Sequence, residues 1–234
     1  MERKRTFYER RLKRPLDIFG ALLFLLLFGW LLAAAALLVR FALGSPVIFR
    51  QMRPGKNERI FRLYKFRSMS NEKDEKGKLL PDENRLGRFG RWLRSSSLDE
   101  LPEIFNILAG DMSFVGPRPQ LVRDMVFMTE EQRRRHAVRP GLTGLAQISG
   151  RNGLDWDEKL RCDLRYIKKI TFREDLYVLW QTFIKAVLRR EGITAEGEAT
   201  SPDLGDWLLA HRRIDAETYR FKQEEARRLL SGEE

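Results

Sequence analysis

Two adjacent carboxylates, Asp99 and Glu100, lie inside the most informative stretch of this sequence, SSSLDELPEIFNILAGDMSFVGPRP. The stretch ends in the turn GPRP at residues 116–119, where two prolines fix the backbone on either side of Arg118. Paired acids set among arginines are typical of metal-assisted chemistry on phosphate groups. Without its neighbours, the acidic pair is better explained as the first turn of a helix, where acids favour the helix dipole and Ser97 could be the N-cap.

Periodicity and turn residues predict the elements that position these groups. Residues 98–108 have helical spacing, and Pro102 is tolerated there because it lies in the first turn. Residues 47–51 and 60–66 predict two strands joined by the turn RPGKN. The apolar face of the helix is predicted to contain Leu101, Ile104, Phe105 and Leu108. Other segments predict a charged loop at 71–84, helices at 85–94, 120–137, 156–170 and 176–188, a short strand at 145–148 and two short helices within 203–230, the second of which is started by Asp215.

One segment is apolar enough to enter a membrane. Residues 18–39 form a run of 22 residues without a charge. As a single helix this run would be about 33 Å long, enough to cross the hydrocarbon core of a bilayer. No small-residue cleavage site follows it, so it does not read as a secretory signal.

The charges that flank this run bear on its orientation. Seven Lys or Arg residues precede it within residues 1–17, and the segment that follows, residues 40–67, is equally basic. Positive charge keeps a flank in the cytoplasm, so neither end is a good candidate for export. A helix that enters the membrane and returns to the same face fits the pattern better than a straight spanning helix, which stays an alternative.

Composition narrows the class of partner. The chain has 234 residues and a formal net charge of +11, which indicates an anionic partner: nucleic acid, an acidic lipid surface or phosphorylated substrates. Cys162 is the single cysteine, so no internal disulfide forms, which fits a reducing cytosolic face. With two histidines and one cysteine, the chain has too few ligands for a structural zinc site.

Several ordered blocks of this sequence resemble one family, the initiating sugar transferases of bacterial glycoconjugate pathways, also called monotopic phosphoglycosyl transferases. The blocks include KRPLDIFGA, RPGKNERIFRLYKFRSM, RLGRFGRWLRSSSLDELPEIFNILAGDMSFVGPRP, RHAVRPGLTGLAQISGRN and DLRYIKKITFREDLYVL, and together they run from about residue 13 to 192. Long blocks in a fixed order are far more specific than any single motif.

The resemblance implies a reaction and roles for residues. A phosphosugar would pass from a UDP-sugar to undecaprenyl phosphate through a phosphosugar–aspartyl intermediate on Asp99, with UMP as the first product and ping-pong kinetics. Glu100 would bind Mg²⁺ together with Asp99, or position Asp99. Asp163 lies in a shared block and is interpreted as a structural partner of an arginine. By motif position, the substrate phosphates would be bound by Lys65, Arg94, Arg118 and Arg151.

The membrane segment departs from the family pattern at one place. Similar chains break the re-entrant helix with a Ser-Pro pair, where this sequence has Gly29 and Trp30. Glycine permits a bend and Trp30 could lie at the membrane interface, but the break is weaker without proline. The expected location is the inner (cytoplasmic) membrane, with the catalytic domain on its cytosolic face.

The predicted fold is therefore mixed α/β and mainly helical, with a re-entrant membrane helix and a compact cytosolic domain that contains a small β-hairpin and interfacial amphipathic helices. The predicted divisions are a basic arm and membrane helix at 1–44, a catalytic domain at 45–192, and a linker with a helical tail at 193–234, which packs on the domain or on a second subunit. UDP-linked N-acetylated amino sugars are the favoured donors, with UDP-glucose or UDP-galactose as the alternative. Non-enzyme alternatives are a membrane-tethered nucleic-acid binder, which lacks a recognised reader motif, and a scaffold; we expect no nucleic-acid partner.

Overall fold

The computed structural model describes residues 4–150, 154–185 and 202–231. Most of these residues are helical, and the strands form two small sheets. The helices are α1 Lys13–Leu43, α2 Asp82–Arg85, α3 Arg88–Ser95, α4 Glu103–Ala109, α5 Val122–Met125, α6 Glu130–Arg133, α7 Leu145–Ser149, α8 Trp156–Lys168, α9 Phe172–Phe183, α10 Leu204–Ala210 and α11 Ala216–Ser231. The strands are β1 Ile48–Pro54, β2 Ile60–Phe66, β3 Ser113–Val115 and β4 Gly141–Thr143.

Helix α1 is long and apolar enough to cross a membrane by length and composition. One of its faces packs on the rest of the protein along most of its length. Near its start, Ala21 belongs to a buried cluster with residues of β2 and α4; near its end, Ala35 and Val39 join a second cluster with Phe66 and Leu93. The opposite face is an exposed apolar stripe: Phe19, Leu22, Leu23, Leu26, Leu27, Trp30, Leu37, Leu38 and Phe41.

Polar contacts hold both ends of α1 to the same domain. In its second turn, Oδ1 of Asp17 accepts hydrogen bonds from the Ser113 hydroxyl (3.0 Å) and the Phe114 N–H (3.1 Å). At its far end, the Arg67 guanidinium donates to the carbonyl oxygens of Leu43 and Ser45. The helix and the domain therefore form one packed unit.

The break considered at Gly29 and Trp30 is not present, because α1 is continuous through both residues. A glycine without a following proline leaves every backbone N–H available, so the helical hydrogen bonds can continue through it. Trp30 is 68% exposed, and its indole N–H donates to the carbonyl oxygen of Leu27 at 3.0 Å.

The predicted β-hairpin is confirmed, with β1 and β2 antiparallel and Ile48 opposite Phe66. Helix α4 is fastened to the edge of this hairpin by Asn106, which is fully buried. Its side chain accepts a hydrogen bond from the Tyr64 N–H (3.0 Å) and donates one to the Arg62 carbonyl (2.7 Å). A buried amide with both ends paired fixes the register of α4 against β2.

The helix predicted over 98–108 is divided. Leu98–Glu100 forms a 3₁₀ turn, and α4 begins only after Pro102. The predicted apolar face is correct for Ile104 but wrong for Phe105, which is 45% exposed, whereas Ile107 is fully buried. The change of helix type between residues 100 and 103 rotates the face that enters the core.

The parallel pair β3–β4 joins the GPRP turn to the segment RPGLTG. The Gly116 N–H donates to the Thr143 carbonyl (2.9 Å), and the Gly141 N–H donates to the Pro117 carbonyl (3.0 Å). The two backbones approach so closely that a Cβ on Gly116 would lie 2.6 Å from the Arg139 carbonyl oxygen. Glycine is therefore required at residue 116 for this contact.

Two predictions for the middle of the chain are wrong. Residues 120–137 do not form one helix but contain α5, α6 and a 3₁₀ turn at Arg134–Ala137, because Thr129 caps α6 with a reciprocal Gln132 bond and starts a new helix there. Residues 145–148 belong to helix α7 rather than to a strand.

The C-terminal helices pack on the preceding part of the chain. The predicted start of α11 at Asp215 is confirmed by a bond of 2.7 Å from the Thr218 N–H to its carboxylate. Leu204 of α10 is buried in a cluster with Met128, Trp156 and Leu160. The predicted boundary at 192/193 and the linker up to residue 201 lie outside the described residues.

Candidate active site

The acidic pair lies in a turn rather than at the start of an α-helix. Ser97 has a left-handed backbone (φ 57°), and its side chain makes no capping bond to the 3₁₀ turn that follows. The capping explanation for Asp99 and Glu100 is therefore wrong. The left-handed residue lies between α3 and the turn, and Glu100 in this turn contacts Lys65 of β2.

Glu100 lies between two cations. Its Oε1 accepts hydrogen bonds from Nζ of Lys65 and from Nη2 of Arg118, both at 2.7 Å. Burial alone would raise the pKa of Glu100, but Arg118 and Lys65 outweigh it, so the net pKa is lowered. The same contact, mainly through the charge of Glu100, raises the pKa of Arg118. Glu100 is therefore a permanent anion that holds both cations in place.

Asp99 is buried beside this cluster with 8% exposure, and no residue in the described ranges forms a hydrogen bond or ion pair with its side chain. Its pKa is raised to about 6, first by burial and second by the charge of Glu100, against the attraction of Lys65, Arg118 and Arg94. The pKa values of the two neighbouring carboxylates are thus shifted in opposite directions. Such divergence separates a group that reacts from a group that holds charge.

A third carboxylate, Glu103, lies on the other side of Lys65, with Oε1 at 3.3 Å from Nζ. It is 3% exposed, and its pKa is raised to about 7, mainly by burial, with the charge of Glu100 adding to the effect. Nothing in the sequence distinguishes Glu103 as a site residue. Its place in the first turn of α4, after a proline, made it look like an ordinary helix-dipole residue.

The backbone around Arg118 is held by two further arginines. Nη2 of Arg135 donates to the Arg118 carbonyl (2.6 Å), and Nη1 of Arg53 donates to the Pro119 carbonyl (3.0 Å). Arg135 is itself buried and paired with Oδ2 of Asp163 at 2.7 and 2.9 Å. The expected pairing of Asp163 with an arginine is confirmed, and it acts through the backbone of Arg118.

Two predicted phosphate-binding cations remain, Arg94 and Arg151. Arg94, in the last turn of α3, donates from Nε to the Ser68 hydroxyl (2.9 Å), and burial lowers its pKa, with Asp99 acting in the opposite direction. It is therefore close enough to sense the charge of the acidic pair. Arg151 lies outside the described residues.

A cavity of about 590 Å³ opens beside these groups. Its lining includes Ser97, Glu100 and Arg118, and this part is here called the dyad end because the pair Asp99–Glu100 lies there; Asp99 itself lies next to Glu100 and is not a lining residue. A second part, here called the tail end, is lined by Trp156, Lys159, Asp163, Pro202 and Asp203. Phe24 of α1 and Leu179 and Phe183 of α9 add an apolar wall.

Several polar atoms of the cavity lining are buried and have no hydrogen-bond partner among the described residues. They are both side-chain atoms of Gln147, Oδ1 of Asp163 and Nε of Arg53. A buried polar group without a hydrogen bond costs about 1–3 kcal/mol, so native proteins rarely keep such groups unless a ligand or water pairs them. The cavity is therefore built to receive a polar ligand.

The acidic pair suits magnesium rather than a metal that needs several protein ligands. No cluster of three or more His, Cys, Asp or Glu residues able to hold a metal occurs in the part of the chain that the structure describes. Mg²⁺ commonly takes only one or two carboxylates and completes its shell with substrate phosphates and water. Asp99, which no described residue engages, and Oε2 of Glu100 are oxygen donors of this kind.

The chain is similar to known proteins over most of its length. Residues 8–190 match the family model described as bacterial sugar transferase. The chain is 45% identical over 190 residues to the uncharacterised sugar transferase EpsL of Bacillus subtilis, covering 81% of this chain and 94% of that protein. It is 40% identical over 194 residues to the galactosyl transferase CpsE of Streptococcus agalactiae (77% of this chain, 43% of that protein). It is 37% identical over 188 residues to a UDP-N-acetylgalactosamine-undecaprenyl-phosphate N-acetylgalactosaminephosphotransferase of Aeromonas hydrophila (76% of this chain, 44% of that protein). The chain thus spans nearly all of the first relative and less than half of the other two.

Proposed function

Because the chain belongs to the bacterial sugar transferase family, we propose that it transfers a phosphosugar from a UDP-sugar to undecaprenyl phosphate, with UMP as the other product. Relatives named as undecaprenyl-phosphate sugar phosphotransferases support the general reaction. The product, a polyprenyl-diphosphate sugar, would be the first membrane-bound intermediate of a glycoconjugate.

One observation carries this proposal. Oε1 of Glu100 is bound by Lys65 and Arg118 at 2.7 Å each, while the adjacent Asp99 is buried and engaged by no described residue. An unpaired carboxylate beside fixed cations is the arrangement that a carboxylate nucleophile requires. The cations attract the donor diphosphate, and Asp99 keeps both oxygens available for attack.

The proposed route has two steps. An oxygen of Asp99 attacks the β-phosphorus of the UDP-sugar, the bond from this phosphorus to the bridging oxygen breaks, and UMP leaves with that oxygen. An oxygen of undecaprenyl phosphate then attacks the same phosphorus, and the carboxylate of Asp99 is released. Arg118 and Lys65 balance the negative charge of the phosphoryl group, and Glu100 keeps them aligned.

Asp99 and Glu100 would hold Mg²⁺, which would neutralise part of the negative charge on the donor diphosphate. The protein side of this arrangement is a raised pKa of about 6 at Asp99, which leaves the carboxylate ionised at neutral pH and yet basic enough to attack. Burial, the largest cause of the shift, also keeps water from competing with the acceptor.

We also propose that the enzyme attaches to the cytosolic face of the inner membrane from one side. Both ends of α1 are fastened to the same domain, by Asp17 near its start and by Arg67 at its end. A helix held in this way cannot cross the bilayer while the domain stays in water. Its exposed apolar stripe and the exposed aromatic residues of α9, among them Trp180 and Phe183, would contact lipid.

The sugar is proposed to be an N-acetylated amino sugar, with glucose or galactose as the alternative. The relatives named above include one for N-acetylgalactosamine, and others are named for galactose and glucose. Each of these relatives is similar to this chain at 36–38% identity. A panel of the corresponding UDP-sugars decides among them.

UMP release from each UDP-sugar, measured with Mg²⁺ and undecaprenyl phosphate in detergent, tests the reaction. We expect release by the wild type with at least one donor, and loss of at least about 10⁴-fold in Asp99→Asn. The matched control is Asp82→Asn, a half-exposed acid of α2 outside the cavity, which keeps full activity.

The covalent step has its own readout. With donor present and acceptor withheld, mass spectrometry should find a phosphosugar adduct on the peptide that contains Asp99 and none in Asp99→Asn. Normal UMP release by Asp99→Asn, or an adduct on another residue, contradicts the proposed route.

A further inference from the structure

The tail end of the cavity is built partly by residues that lie beyond the family match. The match ends at residue 190, but Pro202 and Asp203 line the same cavity as Glu100 and Arg118. Part of the C-terminal segment therefore forms a wall of the site, and the family match does not extend to it.

Specific contacts fix this segment in place. The indole N–H of Trp156 donates to the Pro202 carbonyl (3.1 Å), and the Leu204 N–H donates to Oδ1 of Asp124 (2.9 Å). Leu204 is buried at 2% exposure, and Gly205 lies so close to Phe127 that a Cβ would approach that ring to 2.5 Å. These contacts are as tight as those of a domain core, so the position of Asp203 is fixed.

The tail end lies next to the phosphate-binding residues. Arg135 bonds both the Arg118 carbonyl and Asp163, which connects the two ends of the cavity through one side chain. A group attached to a phosphate at Arg118 would therefore extend toward Asp163, Lys159 and Asp203.

The chemistry of the tail end fits a group rich in hydroxyls. Oδ1 of Asp163 is buried without a donor, and Arg123 engages Oδ2 of Asp203, while no described residue donates to Oδ1. These carboxylate oxygens accept from hydroxyl groups, and the Lys159 ammonium donates to them. A hexose offers several hydroxyl groups that both donate and accept, whereas a uracil ring offers a single N–H donor for two carboxylate oxygens, so the sugar fits the two acids better.

We propose that Asp203, fixed by the C-terminal segment Pro202–Ser231, is a specificity-determining residue for the sugar of the donor, acting with Asp163 at the tail end. This proposal rests on the proposed function. Asp203 accepts a hydrogen bond from a sugar hydroxyl, and donors whose hydroxyl is placed differently lose that bond. The carbohydrate half of the substrate is recognised here and the diphosphate at the dyad end.

The test compares Asp203→Asn with two matched controls. Asparagine keeps the size and the position before α10, but it replaces a carboxylate oxygen by an N–H₂ group. Asp206→Asn alters a neighbouring acid that bonds Tyr219 and does not line the cavity. Arg123→Gln removes the ion pair with Asp203 by changing a residue that does not line the cavity.

The measurements are kcat/KM for UDP-glucose, UDP-galactose and UDP-N-acetylgalactosamine, and Kd for each of these donors and for UDP alone. In Asp203→Asn we expect the ratio of kcat/KM between the best donor and the next to change about tenfold, because a hydrogen bond to a charged group is lost. The Kd of UDP should stay within about twofold, and both controls should keep the wild-type donor ratio. Thermal unfolding of each variant verifies that the fold is intact.

Three results overturn the proposal: an unchanged donor ratio in Asp203→Asn, an equal loss of affinity for UDP and UDP-sugar, or the same change in Arg123→Gln. The first removes the sugar contact, the second assigns the site to the nucleotide, and the third assigns the effect to the ion pair. The Kd values need no turnover, so they test the sugar contact even if no donor gives UMP. Absence of UMP release by the wild type would instead contradict the proposed function.

Discussion

The two ends of the cavity differ in how their charges are arranged. At the dyad end, Glu100 pairs with Lys65 and Arg118 at hydrogen-bond distance, and one carboxylate, Asp99, is left without a described partner. At the tail end, Asp163 and Asp203 both line the cavity, and Oδ1 of each accepts no hydrogen bond from the described residues, although Arg123 engages Oδ2 of Asp203. The first arrangement holds its own charges in place and leaves one group to react. The second keeps several groups unsatisfied until a ligand arrives.

This difference separates chemistry from recognition. A reacting group gains from fixed neighbours, because no reorganisation is needed when charge moves in the transition state. A recognising group gains from being unpaired, because the correct ligand then pairs it and an incorrect ligand leaves it unpaired. Substitutions at the two ends should therefore change different quantities.

After Asp99→Asn, the largest effect is expected for Glu100→Gln, which removes the anion between Lys65 and Arg118. We expect kcat to fall about 10³-fold with every donor, because both cations lose their fixed position. UMP release at saturating donor measures it. The matched control is Glu103→Gln, which also faces Lys65 but not Arg118, and which should lose less than about tenfold. Equal losses in the two variants would show that the position of Arg118 does not matter.

Arg135 contacts the Arg118 carbonyl at the dyad end and Asp163 at the tail end, and Arg135→Met tests this link. This change leaves Asp163 as a buried charge without its partner and frees the Arg118 carbonyl. We expect the free energy of unfolding to fall by about 3 kcal/mol or more. Arg133→Met, which removes an exposed ion pair with Glu58, should cost less than about 1 kcal/mol. Thermal or denaturant unfolding in one detergent compares them, and similar losses would contradict a buried supporting role for Arg135.

Asp99→Asn tests how much the buried carboxylate of Asp99 lowers the free energy of unfolding, and how this loss depends on pH. Because the pKa of Asp99 rises from 3.8 in the unfolded chain to about 6 in the folded one, the folded state binds the proton more tightly. The wild type is therefore penalised as pH rises through this range. We expect the variant to be more stable by about 1–3 kcal/mol at pH 8, with the difference vanishing below about pH 4. A difference in stability that does not depend on pH would contradict the raised pKa of Asp99.

The smallest effect is expected for Gln147→Met, which replaces a buried amide that has no partner by an apolar side chain of similar length. We expect the ligand-free enzyme to gain about 1 kcal/mol in stability, because an unpaired polar group is removed. KM for the donor or the acceptor should rise, because the ligand loses the amide contact. Gln181→Met, on α9 outside the cavity lining, should change neither quantity. A loss of stability in Gln147→Met would show that its amide is not a ligand-binding group.

The sequence was sufficient for the dyad end and not for the tail end. Asp99, Glu100 and Arg118 lie within one short motif, so their identity and spacing already indicate phosphate chemistry. Lys159 and Asp163 come from α8 and Asp203 from the C-terminal segment. The sequence indicates Asp163 only as the partner of an arginine, and nothing in it distinguishes Lys159 or Asp203. Only the packing of Trp156 and Leu204 brings them to one cavity, and such long-range contacts leave no local pattern.

The same difference between local signals and long-range contacts explains which parts of the fold were predicted. The hairpin, α8 and the start of α11 were predicted because alternation, helical spacing and the Asp215 cap are local signals. The prediction of one helix over 120–137 is wrong because the Thr129 cap divides this segment. The capping signal lies inside a charged run, which hides it. The role of Asn106 in fixing α4 to β2 depends on a contact across about 40 residues, which helical spacing does not indicate.

The packing of α1 has a practical consequence for handling the enzyme. Ala21, Ala35 and Val39 belong to the same clusters as residues of the hairpin and of α3 and α4, so the membrane-contacting helix is also an interior element of the catalytic unit. Cutting the chain after residue 43 to obtain a water-soluble fragment would uncover Leu93, Ile107 and Met112 and produce an aggregating polypeptide. Purification and screening of inhibitors therefore require the intact chain in micelles or nanodiscs.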